Sequence, residues 1–210
     1  MYKTTKTAIH ALNNGKQFNE VEFGEVRTDR EVCMHAIKQD PWMLNMADDS
    51  LKFDRSFLLG AYYFQKDLMP VIDLDFRADK SFMMEACKVN PGALEFATPD
   101  LKRDKIFIMN LLDSPQVKSG IFNHIDESLK SDKDVARLGM IKDSFAHEQV
   151  PEKFLADKKF ADFVIPHNPN TYRYFSEEIR SDLTLYFIAQ EHDPRSFEAA
   201  PPSIQNDKDL

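Results

Sequence analysis

Residues 79–94 read DKSFMMEACKVNPGAL, and their spacing sets the architecture. Asp79 is of a residue type preferred at a helix N-cap, and apolar side chains follow it three, four and seven positions later, as one helical face requires. Asn90 directly precedes Pro91, which has no amide hydrogen to lose at the first position of a helix. The segment therefore predicts a capped helix followed by a second, shorter helix.

The same pattern repeats along the whole chain. An aspartate recurs every 25 residues, with one interval of 28, and an apolar residue stands three positions before it and three after it. In the first unit Thr4 takes the place of the aspartate. About eight units fill the chain, and they start near Thr4, Asp29, Asp54, Asp79, Asp104, Asp132, Asp157 and Asp182.

A pair of short helices cannot bury its apolar faces alone, so neighbouring pairs must stack around a shared core. We therefore predict an all-α fold, an α-solenoid of about eight 25-residue helix-pair repeats, with residues 1–210 as a single helical-repeat domain. The ends of such an array are uncovered, so a homodimer formed through one end of the solenoid is also expected.

The composition restricts the class of protein. The 210 residues are 42% hydrophobic and 30% charged, which is typical of a chain that folds around a core in water. The apolar runs are much shorter than the roughly 20 residues of a membrane helix, and the start of the chain lacks a signal-peptide pattern. Cys33 and Cys87 fall in helical patterns and are expected to be reduced core residues. A net charge of −8 argues against a nucleic-acid partner.

The repeat resembles a known family. Four stretches of the chain are similar to the repeat catalogued as domain of unknown function 4116. They are residues 51–57 (LKFDRSF) with Ala61, residues 79–94, the GALEFA run at 92–97 and residues 101–107 (LKRDKIF). The resemblance implies a helical repeat, common in bacteria that live inside or beside eukaryotic cells and in some protists, with no established activity and no catalytic residues to carry over. It implies a host-directed effector secreted into a host cell as one setting, while the composition predicts a protein of the producing cell's cytoplasm.

Basic residues beside the cap aspartates form the first candidate site. Arg30, Arg55, Lys80 and Lys105 each follow an aspartate directly. Cations in the first turn are unfavourable against the helix dipole, so another interaction must favour them. One alternative is pairing with caps and glutamates of adjacent units. The other is an anionic partner at this edge, such as an acidic peptide, a phosphoinositide head group or an RNA backbone.

Trp42 follows Pro41 at the start of a second helix, where its ring could anchor a partner. The leading hypothesis is a non-enzymatic helical-repeat module for protein–protein interaction. It would bind a protein or an acidic peptide and use no cofactor and no metal. The residues expected to contact the partner are Trp42, Arg30, Arg55, Lys80 and Lys105.

An enzyme is the alternative from a different class. The repeat is irregular around its one long interval, where His124, Asp126 and Glu127 precede a cap and His147 and Glu148 follow in the next unit. Histidines with carboxylates suit general acid–base catalysis, so this alternative places a site at His124, His147 and Glu148. A third alternative is an anionic-lipid adaptor that uses the basic rows.

Overall fold

The computed structural model describes residues 2–16, 18 and 23–207, and these residues form helices but no β-strand. The predicted all-α fold class is confirmed. The chain forms two compact units, Met1–Thr98 and Pro99–Leu210. The single-domain assignment and the number of repeats stay predictions. None of the helices in the described residues has the length and apolar character needed to cross a bilayer.

The N-terminal unit is built on long helices stacked in chain order. Each begins after a residue whose side chain accepts hydrogen bonds from first-turn amides, as the aspartate pattern predicts. Each long helix packs on the next one along the chain, with its apolar face buried. The long helices of this unit are α1 (Thr5–Asn13), α2 (Arg30–Gln39), α3 (Arg55–Phe64) and α4 (Lys80–Val89).

The C-terminal unit follows the same plan. Aspartates cap its long helices, and in α6 the residues three, four and seven positions after the cap, namely Val135, Ala136 and Gly139, are buried. Again each long helix packs on the next. The long helices of this unit are α5 (Lys105–Asp113), α6 (Lys133–Lys142), α7 (Lys158–His167) and α8 (Leu183–His192).

From α2 onward, the part of the repeat after each long helix differs from the prediction, because it contains two short segments rather than one helix. A 3₁₀ helix over Pro41–Met46 is followed by a short α-helix over Asp49–Lys52. The backbone is extended at Ala47, and the Asp48 side chain accepts the Ser50 amide 2.9 Å away, so a new cap starts the third segment. The other 3₁₀ helices are Gly24–Val26, Lys66–Val71, Pro91–Phe96, Ile121–His124, Ser144–Glu148 and Pro169–Tyr174. The other short α-helices are Leu74–Ala78, Pro99–Arg103, Glu127–Lys130, Glu152–Leu155, Glu177–Arg180, Ser196–Ala199 and Pro202–Gln205.

At three of the 3₁₀ helices an Asx side chain caps the start whether or not a proline follows, whereas Asn168 before Pro169–Tyr174 donates to the Met140 carbonyl instead. Asp40 accepts the Trp42 amide at 2.9 Å, and Asn90 accepts the Gly92 amide at 3.0 Å. Asp143, which no proline follows, accepts the Phe145 amide at 3.0 Å. The polar side chain is therefore the feature that these 3₁₀ helices share.

Both cysteines lie in the core. Cys33 and Cys87 are free and buried, and burial raises the pKa of each thiol to about 12. They stay protonated at neutral pH, which makes them poor nucleophiles and poor metal ligands. The expectation of reduced core cysteines is confirmed.

Two glycines inside long helices differ in their surroundings. A side chain at Gly139 in α6 would overlap the ring of Phe122, which fills that space. A side chain at Gly60 in α3 would meet just the Met34 Cε atom, at 3.9 Å. The lack of a Cβ is therefore a packing requirement at Gly139 but not at Gly60.

We expect Gly139→Ala to lower the free energy of unfolding by about 1–3 kcal/mol, because the methyl group displaces Phe122. Gly60→Ala is the matched control and should raise the free energy of unfolding by up to about 1 kcal/mol, since alanine favours a helix. Urea denaturation followed by circular dichroism measures both. A stabilising Gly139→Ala would contradict the packing argument.

Candidate partner-binding surfaces

The cap aspartates form a ladder of contacts between consecutive repeats. Asp79 accepts the Phe82 amide of its own helix and the Arg55 guanidinium of the preceding repeat, the latter at 2.9 Å. Asp54 likewise accepts hydrogen bonds from the Phe57 amide and from Arg30. In the C-terminal unit the corresponding pairs are Lys105 with Asp132 at 2.8 Å, Lys133 with Asp157 at 2.5 Å and Lys158 with Asp182 at 3.3 Å. We call this set the aspartate ladder.

Three of the four basic residues predicted to contact a partner belong to the ladder. Each of Arg30, Arg55 and Lys105 forms an ion pair with an aspartate of the next repeat. This is the first of the two alternatives given above, in which the cations pair with caps of adjacent repeats. Lys80 also has an interaction partner within the chain. The neighbouring carboxylates explain why cations are tolerated in the first helical turn. A role for these residues in binding stays a prediction.

Other basic residues precede a cap aspartate by two positions, and the arginines of this second basic row bind backbone carbonyls. Arg77 donates from Nε to the Ile72 carbonyl at 3.0 Å and from Nη1 to the Phe96 carbonyl at 3.4 Å. Arg180 donates to the carbonyls of Phe175 and Ala199 in the same way. These arginines thus connect the short segments of adjacent repeats.

The residues of the enzyme alternative make local contacts. The His147 ring is stacked on Tyr174, with centroids 3.5 Å apart and planes at 13°, and its Nδ1 lies 2.7 Å from the Ser144 carbonyl. Because a carbonyl can only accept, Nδ1 carries the proton of this hydrogen bond. Glu148 is exposed, and His124 is half-buried at the end of its 3₁₀ helix.

The nearby carboxylates have partners within the chain. Hydrogen bonds from the Ser128 hydroxyl and amide, with Arg103 at 2.9 Å, lower the pKa of Asp126 to about 2. Glu127 pairs with Lys130 at 2.6 Å. An aspartate with this pKa cannot act as a proton donor at neutral pH. The described residues also contain no group of three or more His, Cys, Asp and Glu placed to hold a metal ion.

A different surface lies at the opposite ends of the long helices. Trp42 is 58% exposed, Tyr63 63% and Phe64 60%. The Lys38 ammonium lies 4.1 Å from the centroid of the Phe64 ring, and that of Lys66 lies 4.9 Å from the centroid of Tyr63. We call these five residues the aromatic edge.

Local structure places the aromatic edge on adjacent repeats. Lys38 is in the last turn of α2 and Trp42 begins the 3₁₀ helix that follows, while Tyr63 and Phe64 end α3. α2 packs on α3, and the two 3₁₀ helices that follow them also pack together. The five residues therefore share one side of the N-terminal unit.

The sequence identified Trp42, but Phe64 was not recognised as a candidate. The equivalent positions of the two preceding repeats hold Asn14 and Gln39, so an aromatic residue there departs from the pattern. That departure is the signal that could have identified Phe64. Tyr62, beside these residues in sequence, is buried and burial raises its pKa to about 12.

The first long helix offers another open surface. A cavity of about 910 Å³ lies along α1, and its lining includes Lys3, Lys6, His10 and Asn13 but no aspartate or glutamate. Tyr2, Ile9 and Ala11 also line this cavity, so it combines apolar and polar groups. The predicted homodimer through a solenoid end is not tested by this geometry.

The family model described as Domain of unknown function (DUF4116) matches residues 29–66 and 79–115. The resemblance predicted from the repeat is confirmed over these residues. Both matched segments begin at a cap aspartate, and the first contains the whole aromatic edge. No curated protein and no solved structure matches the chain.

Substitutions at Asp79 can separate capping from ladder pairing. We expect Asp79→Ala to lower the free energy of unfolding by about 1–2 kcal/mol, because it removes both the cap and the ion pair. Asp79→Ser keeps a capping oxygen, and Arg55→Gln removes just the pair, so each should cost less than half as much. Urea denaturation measures all three. If Asp79→Ser cost as much as Asp79→Ala, the charge rather than the cap would be the main contribution.

The ladder also predicts a loss of stability in acid. The Phe82 amide and Arg55 lower the pKa of Asp79, and the Ser56 hydroxyl, the Phe57 amide and Arg30 lower that of Asp54. A carboxyl with a lower pKa in the folded state stabilises the fold above its unfolded pKa, and this contribution is lost as the pH falls through the folded value. We expect the melting temperature to fall between about pH 4 and pH 2.

Thermal melts followed by circular dichroism across this range test the prediction. The double variant Asp54→Asn, Asp79→Asn should show a smaller decrease than the native chain. Asp49→Asn is the control, since Asp49 pairs with Lys52 of its own short helix rather than with another repeat. An equal decrease in the native chain and the ladder variant would remove the ladder as the cause.

Proposed function

We propose that the chain is a helical-repeat module without enzymatic activity that binds a protein or peptide through the aromatic edge. The observation that supports this most directly is the exposure of Trp42, Tyr63 and Phe64 on adjacent repeats. Tryptophan and tyrosine supply much of the binding energy at protein interfaces because they bury a large, rigid area.

Packing within the repeat does not require these aromatic side chains. The positions equivalent to Tyr63 in the neighbouring repeats hold Lys38 and Lys88, and the position equivalent to Trp42 in the next repeat holds Asp67. Those repeats fold with polar side chains at the same places. Large exposed apolar side chains are uncommon as a group on soluble proteins, and an interaction surface accounts for them.

The lysines of the aromatic edge favour an acidic segment in the partner. Lys38 is exposed, and among the described residues no carboxylate lies within ion-pair distance of it, unlike the cations of the aspartate ladder. A glutamate or aspartate of the partner could pair with it while an apolar side chain packs on the rings. Charges at the border of an interface contribute mainly to orientation and association rate.

The family resemblance implies a cellular setting for this binding role. A host-directed bacterial effector, or a binding module of the producing cell, would each use a non-catalytic scaffold of this kind. The partner would be an intracellular protein of the host in the first case and of the bacterium in the second.

The proposal predicts that partner capture depends on the aromatic edge. Quantitative affinity capture from host and bacterial lysates would compare the native chain with the triple variant Trp42→Ala, Tyr63→Ala, Phe64→Ala. We expect partners of the native chain to be depleted at least about tenfold with the variant. Trp42 is the one tryptophan of the chain, so a captured partner should also shift its fluorescence to shorter wavelength.

The matched control is the variant Phe53→Ala, Leu74→Ala, which removes two exposed apolar side chains of the same unit away from the aromatic edge. Circular dichroism first establishes that both variants fold. Equal capture by the native chain and the triple variant would contradict the proposal. Equal losses in the triple variant and the control would show that the capture reflects general adhesion.

A further inference from the structure

The residue six positions after the cap aspartate changes in character along the chain. In α2 to α5 this residue is polar or a glycine, namely His35, Gly60, Glu85 and Asn110. In α6, α7 and α8 it is apolar, namely Leu138, Phe163 and Ile188. Phe163 is 42% exposed and the other two are half-buried. Because α6 packs on α7 and α7 on α8, these three residues follow one another across adjacent helices, and we call them the apolar row.

The position just before the row departs from the repeat in the opposite sense. Five residues after the cap, the helices α2 to α5 have an apolar side chain, namely Met34, Leu59, Met84 and Met109. In α6 the same position is Arg137. Its guanidinium carbon lies 5.1 Å from the centroid of the Phe163 ring. A charged residue has therefore replaced an apolar one beside the most exposed member of the apolar row.

Arg137 has hydrogen-bonding capacity that the chain does not use. Its Nε atom is buried and has no hydrogen-bond partner among the described residues. Its terminal nitrogens make long contacts, 3.4 Å to the Lys159 carbonyl and 3.7 Å to the Asp134 carboxylate. A buried donor without a partner destabilises a fold, so packing alone does not account for this arginine.

A second cation stands one turn before the phenylalanine of the row. Lys159 is exposed, and within the described part of the chain no carboxylate lies at ion-pair distance from it. Asp134 and Asp162, which are exposed on α6 and α7, pair with Lys105 and Lys158. The apolar row is therefore bordered by one cation without a partner and by one, Arg137, with spare donors.

We propose that the apolar row binds an amphipathic helix of a partner protein, whose acidic side chains lie beside Arg137 and Lys159. Packed helices lie about 8–10 Å apart, so the row presents an apolar side chain at that interval. Residues seven apart in an α-helix share a face and are about 10.5 Å apart, whereas same-face neighbours in an extended strand are about 6.6 Å apart. A partner helix of about 15 residues with an apolar side chain every seven positions therefore matches all three members of the row.

The local charges favour an acidic helix. An arginine presents its donors in a fork that fits a carboxylate, and Lys159 adds a second positive charge. The net charge of the chain is −8, so its overall field opposes an acidic partner and a preference for one has to come from these local cations. On α8 the exposed Glu191 stands three residues after Ile188 and opposes acidic groups at that end. The acidic side chains of the partner are therefore expected over α6 and α7.

Fluorescence anisotropy with labelled synthetic peptides tests the proposal. The probe is a helical peptide of about 16 residues with leucine every third and fourth position, glutamate beside the leucines and alanine elsewhere. A second peptide has lysine in place of glutamate. A third has the composition of the first in an order that lacks an apolar stripe. We expect the glutamate peptide to bind the native chain at least about tenfold more tightly than either of the others.

Two variants use residues that the repeat already contains at these positions. Leu138→Asn with Phe163→Asn introduces the asparagine of α5, and Arg137→Met introduces the methionine of α2, α4 and α5. Circular dichroism establishes that both variants fold. We expect the asparagine variant to bind the glutamate peptide at least about tenfold more weakly. Arg137→Met should reduce the preference for glutamate over lysine at least about threefold without lowering the melting temperature, since it removes a buried donor that has no partner.

No binding of the glutamate peptide at about 1 mM would overturn the proposal, and so would equal binding of the reordered peptide or undiminished binding by the asparagine variant. A lower melting temperature of Arg137→Met with an unchanged charge preference would make Arg137 a structural residue and would contradict its role in binding. The variant Trp42→Ala, Tyr63→Ala, Phe64→Ala should bind the peptide like the native chain. Loss of binding in that variant alone would place the peptide on the aromatic edge, which would support the proposed function and refute this inference.

Discussion

The fold depends on the carboxylate of the cap aspartate, which makes two kinds of contact. In most of the long helices, the aspartate at the start satisfies first-turn amides of its own helix and also accepts a cation from the preceding repeat. The first contact fixes where the helix begins, and the second aligns it with its neighbour. Helix start and helix stacking are therefore set by the same side chain, and a period of 25 residues brings these carboxylates to one edge of each compact unit.

This double use has an electrostatic consequence. A basic residue in the first turn opposes the helix dipole, but the cations of the aspartate ladder, such as Arg30 and Lys105, are next to the cap carboxylate of the following helix. The row of lysines and arginines is therefore balanced within the chain. A partner that bound this edge would have to compete with contacts that the repeats already make, which is why a local excess of basic residues is weak evidence for an anionic ligand.

The sequence predicted the elements that depend on local chemistry. The cap positions, the buried face of each long helix and the Asx side chain before the 3₁₀ helix all follow from residue type and spacing. The third segment was missed because its cap varies in residue type: Asp48 and Asp73 stand 25 residues apart and both cap a short helix, but later repeats have Pro151 and Pro201 at this position. The stacking of His147 on Tyr174 joins residues of adjacent repeats, so no single unit of sequence contains it.

The two ends of the long helices differ in how much their side chains are constrained. At the start, side chains do the work of capping and pairing. At the other end, backbone groups form the bonds that end the helix. The amides of Asp40, Gln65 and Asn90 each donate to the carbonyl four residues earlier. The side chains two residues before these amides take no part in these backbone bonds, which is why Lys38, Tyr63 and Lys88 can stand at equivalent positions. A surface that differs from repeat to repeat is what recognition of an irregular partner requires, and on this scaffold the helix C-terminal ends can supply it without disturbing the stack.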